Sequence, residues 1–367
     1  MASTAGGSAA ICRIAARAVV GYELTAMRGW PRNRYLQAGL MAAILLASRA
    51  AWACDMCAVY TATEAQITRT GFRVGVAEQY TPFNDLQDAG NPVPNPAGEF
   101  INSSITQFVL GYAPAPRYGI QINVPYIYRG YRKNQTGGPV NGHVTGAGDL
   151  SIIGHAILYE YLDIALLGHF QVYGGLKLPS GSTALLGEEV QALPDPCAGI
   201  PPEFCTARRP TPRHSGGVPS GVHGHDLTLG SGSVDVVLGA NTFWAYDRWY
   251  AMANAQYILR TPGTYDYQFA NELSVVGGPG VFLITDHRFT LGVQAFVGCD
   301  TKGNDTLAGK STGDTAMTSL YAGPAVRATV QQWLTAEVAV DIPVIQNNSG
   351  LQLVPEYRVR GAFMMRF

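Results

Sequence analysis

Residues 351–367 read LQLVPEYRVRGAFMMRF. Leu351, Leu353, Tyr357, Val359, Phe363, Met365 and Phe367 share one parity, while Gln352, Glu356, Arg358, Arg360 and Arg366 share the other. Side chains alternate across a strand, so a period of two predicts β-structure with one apolar and one charged face. Three other stretches repeat the pattern. In 164–178, Ile164, Leu166, Phe170, Val172, Leu176 and Leu178 oppose His169, Gln171, Tyr173 and Lys177. In 233–244, Val234, Val236, Leu238 and Trp244 oppose Ser233, Asp235 and Asn241. In 333–342, Leu334, Val338, Val340 and Ile342 oppose Thr335, Glu337 and Asp341. Such runs exceed the roughly five or six residues usual in soluble sheets.

Composition points the same way. Only 14% of the 367 residues are charged, against about a quarter in soluble domains, so there is little charge to spread over a water-facing surface. The apolar content excludes a disordered chain, the 43 glycines lack a collagen period, and a formal net charge of -1 gives no basic footprint for nucleic acid. Past the N-terminal region no uncharged apolar run reaches the roughly 18 residues of a spanning helix. The expected fold is all-β: a transmembrane antiparallel β-barrel of about twelve strands, preceded by an N-terminal signal peptide.

The connections fit this count. Short turns are expected near 113–116, 160–163, 246–248, 285–288 and 331–332, and long segments near 84–100, 132–146, 179–228, 261–266, 301–315 and 345–350. Short periplasmic turns, long extracellular loops and an even strand number are the pattern of a bacterial outer-membrane barrel and place both chain termini in the periplasm. Tyr126, Tyr128, Trp244, Trp249, Tyr267 and Trp333 lie near predicted strand ends, where interfacial girdles form. Phe367, in phase with the apolar face, resembles the signature read by the barrel-insertion machinery, which with outer-membrane lipid is an expected partner.

Arg28, Arg32 and Arg34 precede an apolar core at 38–48 and an Ala51-Trp52-Ala53 cleavage signal. Residues 1–53 are therefore read as a signal-peptide region with its true start at Met27, the alternative being an unusually long leader from Met1. Residues 54–70 form a periplasmic lead-in or plug, and 71–367 the barrel. Cys54 is either the first mature residue or an acylated one.

Three Gly-rich pieces exceed what a generic barrel needs: Gly146-Ala147-Gly148-Asp149-Leu150, Gly174-Gly175-Leu176-Lys177-Leu178-Pro179-Ser180-Gly181, and Gly230-Ser231-Gly232-Ser233-Val234-Asp235. Over about 140–285 their order and spacing, with the run Tyr265 to Leu273, resemble the outer-membrane transporter family named for the meta-pathway of phenol degradation. That resemblance implies a barrel passing small, aromatic or modestly hydrophobic solutes. The insertion from about Leu185 to Asp226 departs from the family pattern. On parity alone Asp149, Lys177 and Asp235 face the lumen, as do His155, His169, Gln294, Arg327, Glu337, Glu356, Arg358 and Arg360. They form either structural corners or a lining that selects by charge and width.

After loss of Cys12 with the leader, Cys197 and Cys205 within one loop are expected to pair in the oxidising compartment. Cys54 and Cys57 form a second disulfide or, with Met56, a soft-metal site. His223 and His225 are the other metal candidates, the alternative being a solvated loop. No nucleophile elbow, phosphate loop or dinucleotide fingerprint occurs, so neither catalysis nor a cofactor is expected. The leading expectation is a passive channel for small solutes. Its rival is a closed structural barrel that docks a periplasmic redox or metal-handling partner through Cys54 and Cys57.

Overall fold

The computed structural model describes residues 70–191, 219–331 and 333–367. Twelve wall strands follow one another in order. They are β1 (Gly71–Asp88), β2 (Phe100–Ala115), β3 (Tyr118–Gln135), β4 (Gly138–Ala147, continuing as Leu150–Leu162), β5 (Leu166–Leu178) and β6 (Asp235–Tyr246). The ring continues through β7 (Trp249–Leu259), β8 (Glu272–Thr285), β9 (Phe289–Lys302), β10 (Met317–Val330), β11 (Leu334–Asn348) and β12 (Leu351–Pro355, continuing as Arg358–Arg366). Each pairs antiparallel with the next, and β1 pairs with both β2 and β12, from Arg73 opposite Arg366 to Tyr80 opposite Val359. Closure removes both sheet edges, which is what a sheet in hydrocarbon requires.

The outer face is apolar where water-soluble sheets are polar. Phe108, Leu110, Ile120, Leu176, Leu238, Val297, Val326, Val338, Ile342 and Phe363 all stand exposed on it. Rings crowd the two margins of that band: Phe72, Tyr112, Tyr118, Tyr246, Trp249 and Trp333 at the short-turn end, and Tyr80, Tyr126 and Tyr128 at the other. An apolar band between aromatic girdles is the outer surface of a transmembrane barrel. Among the described residues no helix is long and apolar enough to cross a membrane.

Three expectations need correction. The segment 132–146 is not a loop, because β3 and the first part of β4 run on as a hairpin from Tyr126 opposite Ala147 to Gln135 opposite Gly138. Its turn is built on Gly137 and Gly138, at φ 114° and 115°, a conformation open to glycine. Tyr267 is no girdle residue. It is 1% exposed, inside a small second sheet of Tyr267–Gln268, Thr306–Leu307 and Lys310–Ser311 at the long-loop end.

The third correction concerns phase. Tyr80 pairs with Val359 and Phe83 with Pro355, so β12 carries one extra residue around Glu356. Phe83 and Asp85 then oppose Pro355 and Val354, so β1 carries its own extra residue at Asn84. A bulge reverses the alternation that follows it. Two facing bulges turn both strands together, so Leu86 and Leu353 enter a buried cluster with Phe83 and Ile101. Glu356, expected in the lumen, is left exposed at the bulge and accepts a 2.8 Å hydrogen bond from Asn84 Nδ2.

Candidate functional site: a latched mouth over a charge-balanced lumen

The three Gly-rich pieces converge. Asp149 lies in the break between the two parts of β4, where Gly146 adopts φ 157°. Its Oδ1 accepts from Gly181 N at 2.9 Å, and its Oδ2 from both Ser231 N and Ser231 Oγ at 2.8 Å. Lys177 Nζ reaches Asp149 at 2.9 Å and Asp235 at 3.8 Å. Asp235 also accepts from Ser233 Oγ at 2.7 Å and Arg260 Nη1 at 2.8 Å, and Arg260 Nη2 donates to Glu272 at 2.8 Å. The glycines permit the approach: a Cβ on Gly230 would lie 2.6 Å from both Asp149 Oδ1 and the Gly181 carbonyl oxygen.

What this cluster holds is the insertion between β5 and β6. Its two roots are tied directly, with Leu229 N donating to Ser182 O at 3.1 Å. From these roots α1 (Leu186–Gln191) and α2 (Gly224–Leu227) fold into the mouth. On one side Val222 and Leu227 pack into the cluster of Phe83, Leu86, Ile101 and Leu353, on β1, β2 and β12. On the other, Leu186 packs with Tyr267, Phe269 and Leu307, from the connections flanking β8 and following β9. β2 and β8 lie on opposite sides of a twelve-strand ring, so the described insertion bridges the mouth.

Polar contacts complete the seat. The buried Glu99 accepts from Ser220 Oγ, and from Gly221 N at 3.1 Å and Asn134 N at 2.8 Å. Arg129, 2% exposed, donates to Thr228 O, and Lys133 pairs with Glu188 at 2.8 Å.

Within the insertion, His225 Nδ1 lies 3.1 Å from Glu189 Oε1, and its Nε2 lies 3.1 Å from Asp226 Oδ1. Burial disfavours the His225 charge, but the flanking Asp226 and Glu189 carboxylates outweigh it and hold the imidazole well above the usual histidine range. Burial likewise disfavours ionised Asp226, yet His225 and His223 bring it well below the usual carboxylate range. Tyr267, stacked 6.1 Å from His225, is pushed up by burial and by Asp305, to which its hydroxyl donates at 2.7 Å.

Below the mouth the inward side chains line an open chamber. Its charged lining is Arg327, Arg358 and Arg360 against Asp300, Glu337 and Asp341, three of each sign. Arg327 Nε donates to Glu337 at 2.7 Å. Asp341 receives Arg358 Nε at 2.6 Å and Arg360 Nη2 at 2.8 Å, and Arg358 Nη1 reaches Asp300 at 3.0 Å. Aromatic faces back two of the cations, Tyr321 at 4.4 Å from Arg358 and Phe296 at 5.2 Å from Arg360. Gln79, Asn254, Gln256 and Gln294 supply neutral polar groups.

The remaining expected residues lie apart from both clusters. His155 is 9% exposed beside Arg73, at 3.5 Å, and His169 is 2% exposed, stacked on Phe243 at 6.2 Å. Cys54, Met56, Cys57, Cys197 and Cys205, the leader and the lead-in up to 69 lie outside the described residues. Cys299 on β9 is disulfide-bonded, a bond the sequence left unassigned. Parity reasoning also passed over Arg129, Arg260, Glu272 and Asp300. Arg129 and Asp300 lie within their strands and Arg260 directly after one, without a motif around them, while Glu272 opens β8 inside the run Tyr265 to Leu273.

Comparison with known proteins reaches the fold. No protein-family model matches the sequence, and no curated protein matches it. Among solved structures, a COG4313 outer membrane channel from Pseudomonas putida F1 superposes with a TM-score of 0.55 at 13% identity, covering 83% of this chain and 98% of that one. The chain is an outer-membrane β-barrel. The β domain of the Bordetella autotransporter BrkA aligns over 82% of this chain and all of its own length at 9% identity and a TM-score of 0.42. The NanC porin aligns over 80% of this chain, and likewise all of its own length, at 7% identity and a TM-score of 0.36.

Proposed function

We propose that this barrel is a passive outer-membrane channel for small uncharged solutes, aromatic ones included. The observation that carries this reading is the chamber with equal numbers of cationic and anionic groups. A lining dominated by one sign concentrates counter-ions, whereas paired opposite charges give no net reason to prefer an ion and present a polar wall with aromatic patches. Phe296 and Met252 supply apolar surface within it. The resemblance of the Gly-rich pieces to the phenol meta-pathway transporters fits the same solute class, and the shared fold with a known outer-membrane channel fits passage through the lumen.

The test is solute flux into vesicles containing the folded full chain. Phenol or a neutral sugar of similar size is expected to enter several-fold faster than benzoate or a cationic amine. Equal exclusion of all four from correctly folded vesicles would overturn the reading and favour a closed scaffold.

A further inference from the structure

The insertion holds a second cluster that the channel reading leaves unused. His223 precedes the single-turn helix α2, and His225 and Asp226 lie within it. One ligand atom from each falls within 4.8 Å of the others. His223 Nδ1 stands 3.5 Å and His225 Nε2 3.1 Å from the two oxygens of the Asp226 carboxylate. Bonds of about 2.0–2.1 Å in a tetrahedral zinc shell place neighbouring donor atoms about 3.3 Å apart, so these spacings bracket what such a shell needs. The widest separation closes by about 1.5 Å when an ion draws the three groups in.

The surroundings are those of a ligand set. His225 Nδ1 faces Glu189 Oε1 at 3.1 Å, and the same oxygen accepts the His225 backbone N–H at 2.9 Å. A carboxylate on one imidazole nitrogen fixes the tautomer that leaves the other as the ligand, an arrangement typical of metal-bound histidine. The two rings stand nearly parallel, 5.3 Å apart at 9°, and Tyr267 stacks against His225 from outside the cluster. The side chains of His223 and Asp226 are 12% and 13% exposed, against 3% for His225, so an ion reaches the first two from the solvent side.

We propose that His223, His225 and Asp226 bind a divalent cation of the zinc class at the barrel mouth, with Glu189 as the positioning residue behind His225. Three protein donors leave a fourth position for water or a passing ligand. Because α1 carries Glu189, and α2 with its N-cap His223 the three ligands, an ion there ties the two helices of the insertion together.

The experiment uses the full chain in detergent, its folding checked by heat-modifiable gel mobility, with zinc chloride as the probe. Equilibrium dialysis with metal analysis is expected to show one zinc per chain. His223→Gln, His225→Gln and Asp226→Asn each weaken it at least tenfold, Glu189→Gln weakens it by about tenfold, the lower end for a supporting partner, and His155→Gln, beside Arg73 in the barrel, leaves it unchanged. If a variant fails to fold, X-ray absorption of the zinc-loaded wild-type chain decides, with a shell of two imidazoles and oxygen expected. No stoichiometric zinc, zinc lost with His155 but kept without His223 and His225, or a shell containing sulfur would each overturn the proposal.

Discussion

The mouth and the middle of this lumen are both lined with charge, yet the charges do different work. At the mouth, the Asp149 and Asp235 side chains are 0% exposed and Arg260 is 1% exposed. In the chamber, Arg327, Glu337 and Arg360 retain 18%, 17% and 14%. Asp149 accepts from backbone N–H groups of two separate loops as well as from Ser231 Oγ and Lys177, so its charge holds those loops together. The chamber carboxylates are met instead by guanidinium groups: Asp341, 1% exposed, by Arg358 and Arg360, while the Arg327–Glu337 pair keeps its access to water. A carboxylate bound to the backbone of two loops is a latch, and one paired side chain to side chain at a water-facing wall is a lining.

The sharpest way to break this contrast is Asp149→Ala. It leaves Lys177 only Asp235, at 3.8 Å, and the Gly181 and Ser231 amides unmet, and removing one partner of a buried pair costs about 3–5 kcal/mol. The insertion should become the first site of limited proteolysis while the barrel stays heat-modifiable. Leu227→Ala comes next. Leu227 is fully buried in the seat, and such truncations cost about 2–5 kcal/mol. Hydrogen exchange is expected to rise across 219–234 and to stay unchanged in β7 to β11.

Val338→Arg probes the opposite surface. Val338 is 55% exposed on the apolar outer face, and a cation there costs about 2–4 kcal/mol near mid-bilayer, read as a lower denaturant midpoint in lipid vesicles with the insertion still protected. The smallest effect belongs to the lining. Arg327→Gln leaves one uncompensated carboxylate, so cation over anion permeability should rise by roughly a few-fold with little change in melting temperature.

The barrel was legible because period-two alternation survives wherever one side of a strand meets lipid and the other water. It failed at Glu356, where two facing bulges change the phase of β1 and β12 together and no residue type announces them. It failed again at 132–146, where polar and glycine residues read as a loop but form a hairpin projecting beyond the apolar band. The latch was half legible: Asp149, Lys177 and Asp235 stand inside Gly-rich motifs and Glu272 inside the run Tyr265 to Leu273, whereas Arg260 follows ordinary strand sequence. The histidine cluster was visible as His-x-His spacing, but Glu189, which reaches it from α1, lies too far along the chain for local reading.

The most direct test of the account is single-channel conductance of the folded full chain beside a variant in which 183–228 is replaced by a short Gly-Ser turn. The hydrogen bond between Leu229 N and Ser182 O, at 3.1 Å, shows that the roots already meet. With the insertion bridging the mouth, the full chain should give small steps, and the shortened variant salt-proportional steps several-fold larger. Equal steps from both chains, or silence from either correctly folded chain, would contradict a channel narrowed at its mouth by this insertion.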